Sequence, residues 1–375
     1  MSIHFPFRYL EPTFFAGLLD DPVLLVRVRP LGSNLLFDCG QIHHLAKRVL
    51  TAIDALFISH AHMDHWMGID TVTRHLHASS KTIDLYGPPG IAEKLGHRLA
   101  GYDWNLAENY WGSYRVHDVH PRHIESFLLS GPEGFRKRPL GSRRRDDRII
   151  YRNRLVQVAS ETCDHRVDSL IFRISERPLL RIDKRQLERL GLQPGPWLKE
   201  LKHRYAHPDS GRAPLMVLRR TATGGSEEVA VEDVDQLCRR IALPQTEAAI
   251  GYISDVGFSA ANRRRISGLL KGVQLLICEN TFLREAKARA RASRHLCSDD
   301  VNQLLDELRP DWFLPMHLSK SFNRRWRELY RELQPPAGTG LLELPVHVTP
   351  APLRPEALVW RQYQGEKGEA EPGED

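Results

Sequence analysis

Ser59-His60-Ala61-His62-Met63-Asp64-His65 follows directly on the apolar run Leu56-Phe57-Ile58 and puts four metal-ligand-type side chains into six positions. A cluster of that density at the end of a buried strand limits the chain to folds that gather loops at a carboxyl edge. In an extended segment residues i and i+2 project to the same side, so His60 and His62 can share one ion. The turn after them then offers Asp64 and His65 to a second. With 18 histidines in 375 residues, this spacing arises by chance on the order of once in several hundred chains.

The neighbourhood of the cluster reads as a layered α/β protein. Apolar runs bounded by turn residues predict strands at Val23 to Val28, Asn34 to Phe37, Ala55 to Ser59 and Ile83 to Tyr86. Further strands are expected at Leu155 to Ala159, Ser169 to Ile174, Ala248 to Ser254 and Val273 to Cys278, with helices at Ile91 to Leu99 and Asp299 to Leu308. Strands alternating with helices imply stacked layers. Two charged, Pro- and Gly-rich stretches, about 101–154 and 176–247, break the rhythm and read as insertions. The second carries Gly191-Leu192-Gln193-Pro194-Gly195-Pro196 before the amphipathic Trp197 to Lys202.

Composition narrows the setting. Hydrophobic residues are 41% of the chain, enough for a sizeable core, and no apolar stretch approaches the roughly 20 residues that span a bilayer. Cys39, Cys163, Cys238, Cys278 and Cys297 are scattered and odd in number, which fits a reducing, cytoplasmic setting. The formal charge of +6 favours an anionic partner. Seven basic residues between Arg136 and Arg148 read as a mobile basic loop, and Glu366 to Asp375 as a disordered acidic end.

Two ions need more ligands than one loop supplies. His165, beyond Leu155 to Ala159, Asp255, ending Ile250 to Ser254, and His317, ending Trp312 to Met316, repeat one pattern: an apolar strand with a ligand-type residue at its carboxyl edge. Any one of them alone would read as a surface or satisfied core residue.

At this point the chain resembles the ribonuclease Z branch of the metallo-β-lactamase superfamily, from about Asn34 to Phe322. The resemblance rests on Leu36-Phe37-Asp38-Cys39-Gly40, His60 to His65, His165-Arg166-Val167-Asp168-Ser169, Tyr252-Ile253-Ser254-Asp255, Cys278-Glu279-Asn280-Thr281-Phe282 and Pro315-Met316-His317-Leu318-Ser319. Leu190 to Pro196 also resembles the glycine-proline region of that family's RNA-gripping arm.

The resemblance implies a four-layer αββα sandwich with an inserted arm, a hydrolase domain over 1–350 and a C-terminal extension over 351–375. It further implies two zinc ions per subunit, with manganese or iron as alternatives. His60, His62 and His165 would hold one ion, Asp64, His65 and His317 the other, and Asp255 would bridge them. Asp64 would accept the attacking water's proton, and His295, oriented by Glu279, would protonate the leaving ribose oxygen. The implied substrate is precursor tRNA, cut at its 3′ trailer, and the implied assembly is a homodimer.

The chain also departs from the family. Met63 stands where the family keeps Gly, the segment after Gly40 lacks Glu-Gly-Thr-Gln, and Leu296-Cys297 replace small hydroxyl residues after His295. These departures keep other substrates open: a small phosphodiester, a cyclic nucleotide, a sulfate ester or single-stranded DNA. A non-catalytic RNA-binding protein on the same scaffold is a third reading. A helix over Phe282 to Ser293 would put Lys287, Arg291 and Arg294 on one face, suited to phosphates or to plain solvation, and Arg263 to Arg265 divide the same way. His43, His44, His75, His77, His117, His120 and His123 read as surface or supporting residues, and Trp104, Tyr110, Trp111 and Tyr114 as insertion core.

Overall fold

A computed structural model of the chain describes every residue except 1–4, 77–78, 178–179, 207–212, 222, 244–246, 349–352 and 359–375. The chain divides into a larger unit, Met1–Tyr151, Val158–Ile174 and Ala249–Asp375, and a smaller one, Arg152–Gln157 and Ser175–Ala248.

Eight strands form the first sheet in chain order: β1 (Leu10–Phe14), β2 (Leu24–Val28), β3 (Ser33–Phe37), β4 (Ile53–Phe57), β5 (Thr82–Gly87), β6 (Ser113–Val119), β7 (His123–Ser130) and β8 (Lys137–Arg144). Strands β3 to β6 run parallel, so their carboxyl ends share one edge. The runs Leu35-Leu36-Phe37 of β3 and Ala55-Leu56-Phe57 of β4 are apolar and buried because both faces are covered there. Leu36 and Leu56 pack with Ile69, Val72, Ile91 and Leu95 of the helices Ile69–Leu76 and Ile91–Leu99. Phe37 and Phe57, one residue on, face the other way. Phe37 stacks on Phe57 at 4.6 Å and both meet Phe172 of the second sheet edge-on, at 5.5 and 5.9 Å.

The second sheet begins with β9 (Ile149–Arg152), β10 (Val156–Asp164) and β11 (Asp168–Glu176). The chain then builds the smaller unit, with β12 (Leu192–Gln193), β13 (Leu215–Arg220) and β14 (Ser226–Val231) as an antiparallel sheet. That unit has its own core, in which Leu187, Trp197, Leu201, Val217 and Ile241 are buried. On returning, β15 (Ala249–Ile253), β16 (Leu275–Glu279), β17 (Trp312–Met316) and β18 (Gly340–Leu341) complete the second sheet in the order β18-β17-β16-β15-β11-β10-β9. Helices Ala260–Leu270 and Ser298–Leu308 bury Ile266, Leu269, Leu270, Val301, Leu304 and Leu305. Leu270 closes on Gly251 of β15.

Three sequence expectations change here. The stretch 101–154 is not a separate excursion, because it supplies β6, β7, β8 and β9, whose apolar residues Tyr114, Val116, Ile124 and Leu129 are buried. The basic stretch 136–148 is not a loop. Its core is β8, a solvent-exposed edge strand in which Lys137 pairs with Glu93, Arg138 with Glu133 and Arg144 with Asp146, while Arg148 beyond it pairs with Glu161. Edge strands tolerate such charge because one side of the backbone faces water. Part of the C-terminal extension is packed, since Leu353 pairs with Phe14 of β1 through two main-chain hydrogen bonds and Leu358 is buried. The acidic end, like His77, lies outside the described residues. Among the described residues no helix is long and apolar enough to cross a membrane.

Candidate metal centre

The parallel edge of the first sheet and the matching edge of the second carry the predicted ligands. After β4 the chain runs through Ser59 to His62 and turns into a short helix, Met63–Trp66. The hairpin between β10 and β11 holds His165, with His165 N–H bonded to the Val167 carbonyl and Arg166 in the left-handed region at φ 60°. Asp255 lies just past β15, Glu279 ends β16, and His317 follows β17 at φ 62°. A histidine held in that conformation stores backbone strain, of the kind that clusters at functional sites.

The structure brings all seven predicted ligands together. His60, His62, His165 and Asp255 form one group whose donor atoms lie within 4.8 Å of one another, and Asp64, His65 and His317 form a second on the same criterion. Asp255 stands between them. Its Oδ2 is 3.7 Å from Nε2 of His60, 3.7 Å from Nε2 of His165 and 3.2 Å from Nε2 of His65, while its Oδ1 is 3.0 Å from Nδ1 of His317. Asp64 Oδ2 reaches Nε2 of both His317, at 3.2 Å, and His65, at 3.6 Å.

The surroundings fix which nitrogens face inward. His65 Nδ1 donates to the Asp38 carboxylate at 3.1 Å, and His165 Nδ1 donates to the Arg294 carbonyl at 2.6 Å. Ser59 Oγ donates to Asp38, so it accepts from His60 Nδ1 at 3.0 Å. Each of these rings therefore turns its Nε2 toward Asp255, the arrangement metal-bound histidines adopt once any proton on that nitrogen has left. The Nε2 of His60 is buried with no hydrogen-bond partner among the described residues, an orphan atom that a cation would satisfy. The donor set, imidazole with carboxylate, fits borderline divalent ions.

Charge follows the same pattern. Burial, assisted by the neighbouring His65, pushes the His60 pKa down to about 2 and keeps that ring neutral. Burial opposes ionisation of Asp255, but His317 and His65 beside it more than offset this and hold it well below the usual carboxylate range. Burial likewise opposes a charge on His317, yet Asp255 and Asp64 raise its pKa to about 10. A metal ion takes the place of those protons, so its binding releases them.

The proposed proton donor lies alongside. His295 Nδ1 is 3.1 Å from Glu279 Oε2 and 3.2 Å from Thr281 Oγ1. Glu279 is fully buried; its Oε1 accepts from the N–H of Val256 and its Oε2 from the Thr281 hydroxyl and the N–H of Leu296. One carboxylate thus ties the Asp255 loop to the His295 loop.

Sequence reasoning did not single out Asp38 as a working residue. Buried at φ 49°, it accepts from Ser59 N–H, Ser59 Oγ, His65 Nδ1, Tyr252 OH and Ser254 Oγ. The signal was present, since Asp38 too ends an apolar strand. Gly40, two residues on, leaves room for this loop: a Cβ there would sit 2.5 Å from the Asp64 carbonyl.

The basic face expected on Phe282 to Ser293 is not free. The segment is a 3-10 turn, Arg284–Ala286, followed by the helix Lys287–Ser293, and Arg294 caps it in the left-handed region. Lys287 pairs with Asp299, Arg291 with Asp300 and Arg294 with Asp164. Arg263 pairs with Glu307, while Arg264 and Arg265 stay exposed. Of the aromatics, Tyr114 is core, Trp104 and Trp111 pack partly buried against the first-sheet core, and Tyr110 is exposed.

Comparisons with known proteins agree with this architecture. The model for the beta-lactamase superfamily domain matches residues 33–129. Ribonuclease Z of Deinococcus radiodurans is 29% identical over 311 residues, covering 80% of this chain and 87% of that protein. Ribonuclease Z of Anoxybacillus flavithermus is 24% identical, covering 80% and 81%. The crystal structure of the short form of human tRNase Z superposes with a TM-score of 0.52 at 14% identity, covering 92% of this chain and 99% of that one. That of a long-form RNase Z from yeast gives 0.54 at 12% identity, covering 94% and 42%. These two likenesses carry the fold, and the sequence relatives extend it along the chain. Over four-fifths of its length the chain is similar to ribonucleases Z, and residues 33–129 match the beta-lactamase superfamily domain.

Proposed function

We propose that this chain is a metal-dependent endoribonuclease that removes the 3′ trailer from precursor tRNA. The observation that carries the reading is the pair of ligand groups around Asp255, in a chain similar to ribonucleases Z over four-fifths of its length. We assign two zinc ions, one to His60, His62 and His165, the other to Asp64, His65 and His317, with Asp255 between. When bound, such ions lower the pKa of water and neutralise charge on the phosphate.

The chain's own residues supply the rest. Asp64, whose side chain is 41% exposed, faces the side from which substrate arrives and accepts the proton of the attacking water. As the new P–O bond forms, the bond from phosphorus to the ribose 3′ oxygen breaks. His295, held through Nδ1 by Glu279, donates its proton to that oxygen from Nε2. The products are a 3′-hydroxyl on the tRNA and a 5′-phosphate on the trailer. Asp38 and the Arg294 carbonyl hold His65 and His165 in register throughout.

The smaller unit carries Leu190 to Pro196, and we assign it the gripping of RNA. Homodimeric assembly and a cytoplasmic setting complete the proposal, both resting on the family resemblance; sedimentation velocity measures the first. The decisive assay incubates metal-loaded protein with a 3′-extended precursor tRNA and, in parallel, with bis-p-nitrophenyl phosphate, comparing wild type with His62→Ala. Cleavage at the trailer junction that the variant lacks supports the proposal. Hydrolysis of the small ester alone would keep the metal centre and reassign the substrate.

A further inference from the structure

We propose that the tip of the β6–β7 hairpin is a separate binding site for one divalent transition-metal ion, held by His120, His123 and Glu125. The inference does not depend on the RNA substrate. Strand β6 ends at Val119 and the chain reverses through Pro121-Arg122, closed by a hydrogen bond from His120 N–H to the His123 carbonyl at 3.0 Å. That closure stacks the two imidazoles, with ring centres 4.1 Å apart and planes 10° from parallel. Glu125 sits two residues along β7 and so projects to the same side as His123. Its Oε1 is 3.2 Å from His123 Nε2 and its Oε2 is 3.8 Å from His120 Nε2. All three donors lie within 4.8 Å of one another.

An ordinary ion pair between His123 and Glu125 explains only half of this. The Nε2 of His120 is buried without a hydrogen-bond partner among the described residues, although it points toward a carboxylate. A cation accounts for both imidazole lone pairs and the carboxylate at once. Four-coordinate ligation with bonds of 2.0–2.1 Å spaces donors about 3.3 Å apart, so the two rings must turn toward each other out of the stack. Side chains 26%, 41% and 42% exposed have the freedom to do so. Two nitrogens and a carboxylate select zinc, nickel, cobalt or copper over magnesium or calcium.

The surrounding charges leave the three donors available. Asp118, opposite Glu125 in the strand register, is committed to the N–H groups of Gly90 and Ala92. Arg145 is committed to the His120 carbonyl and to Ser160, and Arg144, opposite His123, to Asp146. Arg122 is exposed in the turn between the two histidines. The site lies on the same carboxyl edge as the His60 loop but two strands away, about 10 Å at normal strand spacing, and shares no donor with it.

The test loads chelator-stripped full-length protein with Zn2+ and separately with Co2+, desalts it and counts bound metal per chain by mass spectrometry. Wild type should bind one equivalent more than His120→Asn/His123→Asn, and the double variant should hydrolyse bis-p-nitrophenyl phosphate at the wild-type rate. Should the double variant fail to fold, Glu125→Gln carries the comparison and should weaken the extra equivalent about tenfold or more. Equal metal counts in wild type and variants would overturn the proposal. So would a variant that loses more than one equivalent together with activity, because the substitution would then be acting through the Asp255 centre.

Discussion

His165 Nδ1 lies 2.6 Å from the main-chain carbonyl of Arg294, the residue immediately before His295. One peptide unit therefore orients a metal ligand and carries the proposed proton donor. Arg294 holds that carbonyl in place from the left-handed region, at φ 61°, and its guanidinium is bonded to Asp164, the neighbour of His165.

That conformation makes a prediction about backbone rather than charge. Arg294→Gly keeps the left-handed region accessible and loses only a half-exposed ion pair, so metal affinity should stay within a few-fold of wild type. Arg294→Val puts a β-branched residue where it is disfavoured, displaces the carbonyl and should weaken metal binding about 10- to 100-fold. Competition against a chromogenic chelator measures both, and equal affinities in the two variants would refute the coupling.

Asp64→Ala should reduce turnover at least about a hundredfold, the scale of a lost proton acceptor. The melting temperature of the metal-free protein should barely move, because the side chain is half-exposed in the first turn of the short helix Met63–Trp66 and lies outside the apolar core. Single-turnover kinetics and a circular-dichroism melt separate the two effects; near-normal activity would contradict the assignment.

A general acid must carry its proton. Burial opposes charge on His295, but the Glu279 carboxylate beside it, with Asp255 behind, outweighs burial and raises the pKa above the ordinary 6.5. The protonated form then persists to higher pH, and kcat/KM should fall as pH rises through the raised value. Glu279→Gln removes that negative charge and should move the falling limb toward lower pH. An unmoved limb would mean that His295 is not the group titrating.

In the smaller unit Trp197 and Leu201 are core, so replacing the whole segment would unfold it, whereas Lys199 and Lys202 are exposed. Reversing both to Glu should flatten the salt dependence of precursor-tRNA binding by roughly one to two in log–log slope. Hydrolysis of bis-p-nitrophenyl phosphate should stay unchanged. Equal loss on both substrates would assign the segment to supporting the site.

Phe57 spans the gap between the two sheets against Phe37, Phe172 and Tyr151. Phe57→Ala should cost about 3–5 kcal/mol, read from denaturant melts of metal-free protein. A loss below about 1 kcal/mol would mean that the aromatic layer does not join the sheets.

Local features were legible from the residues alone. The His60 to His65 spacing, and apolar runs such as Ala55 to Ser59 that are buried on both faces, require a buried strand delivering ligands at its end. Asp255 and His317 were legible for the same reason. What the tertiary structure decided is what depends on distant partners. No local pattern tells that Asp38 gathers donors from Ser59, His65, Tyr252 and Ser254, or that Lys137 of β8 meets Glu93, because each fact is set by residues far along the chain. His120, His123 and Glu125 are near neighbours in sequence, yet only a hairpin turn makes spacings of three and two residues converge.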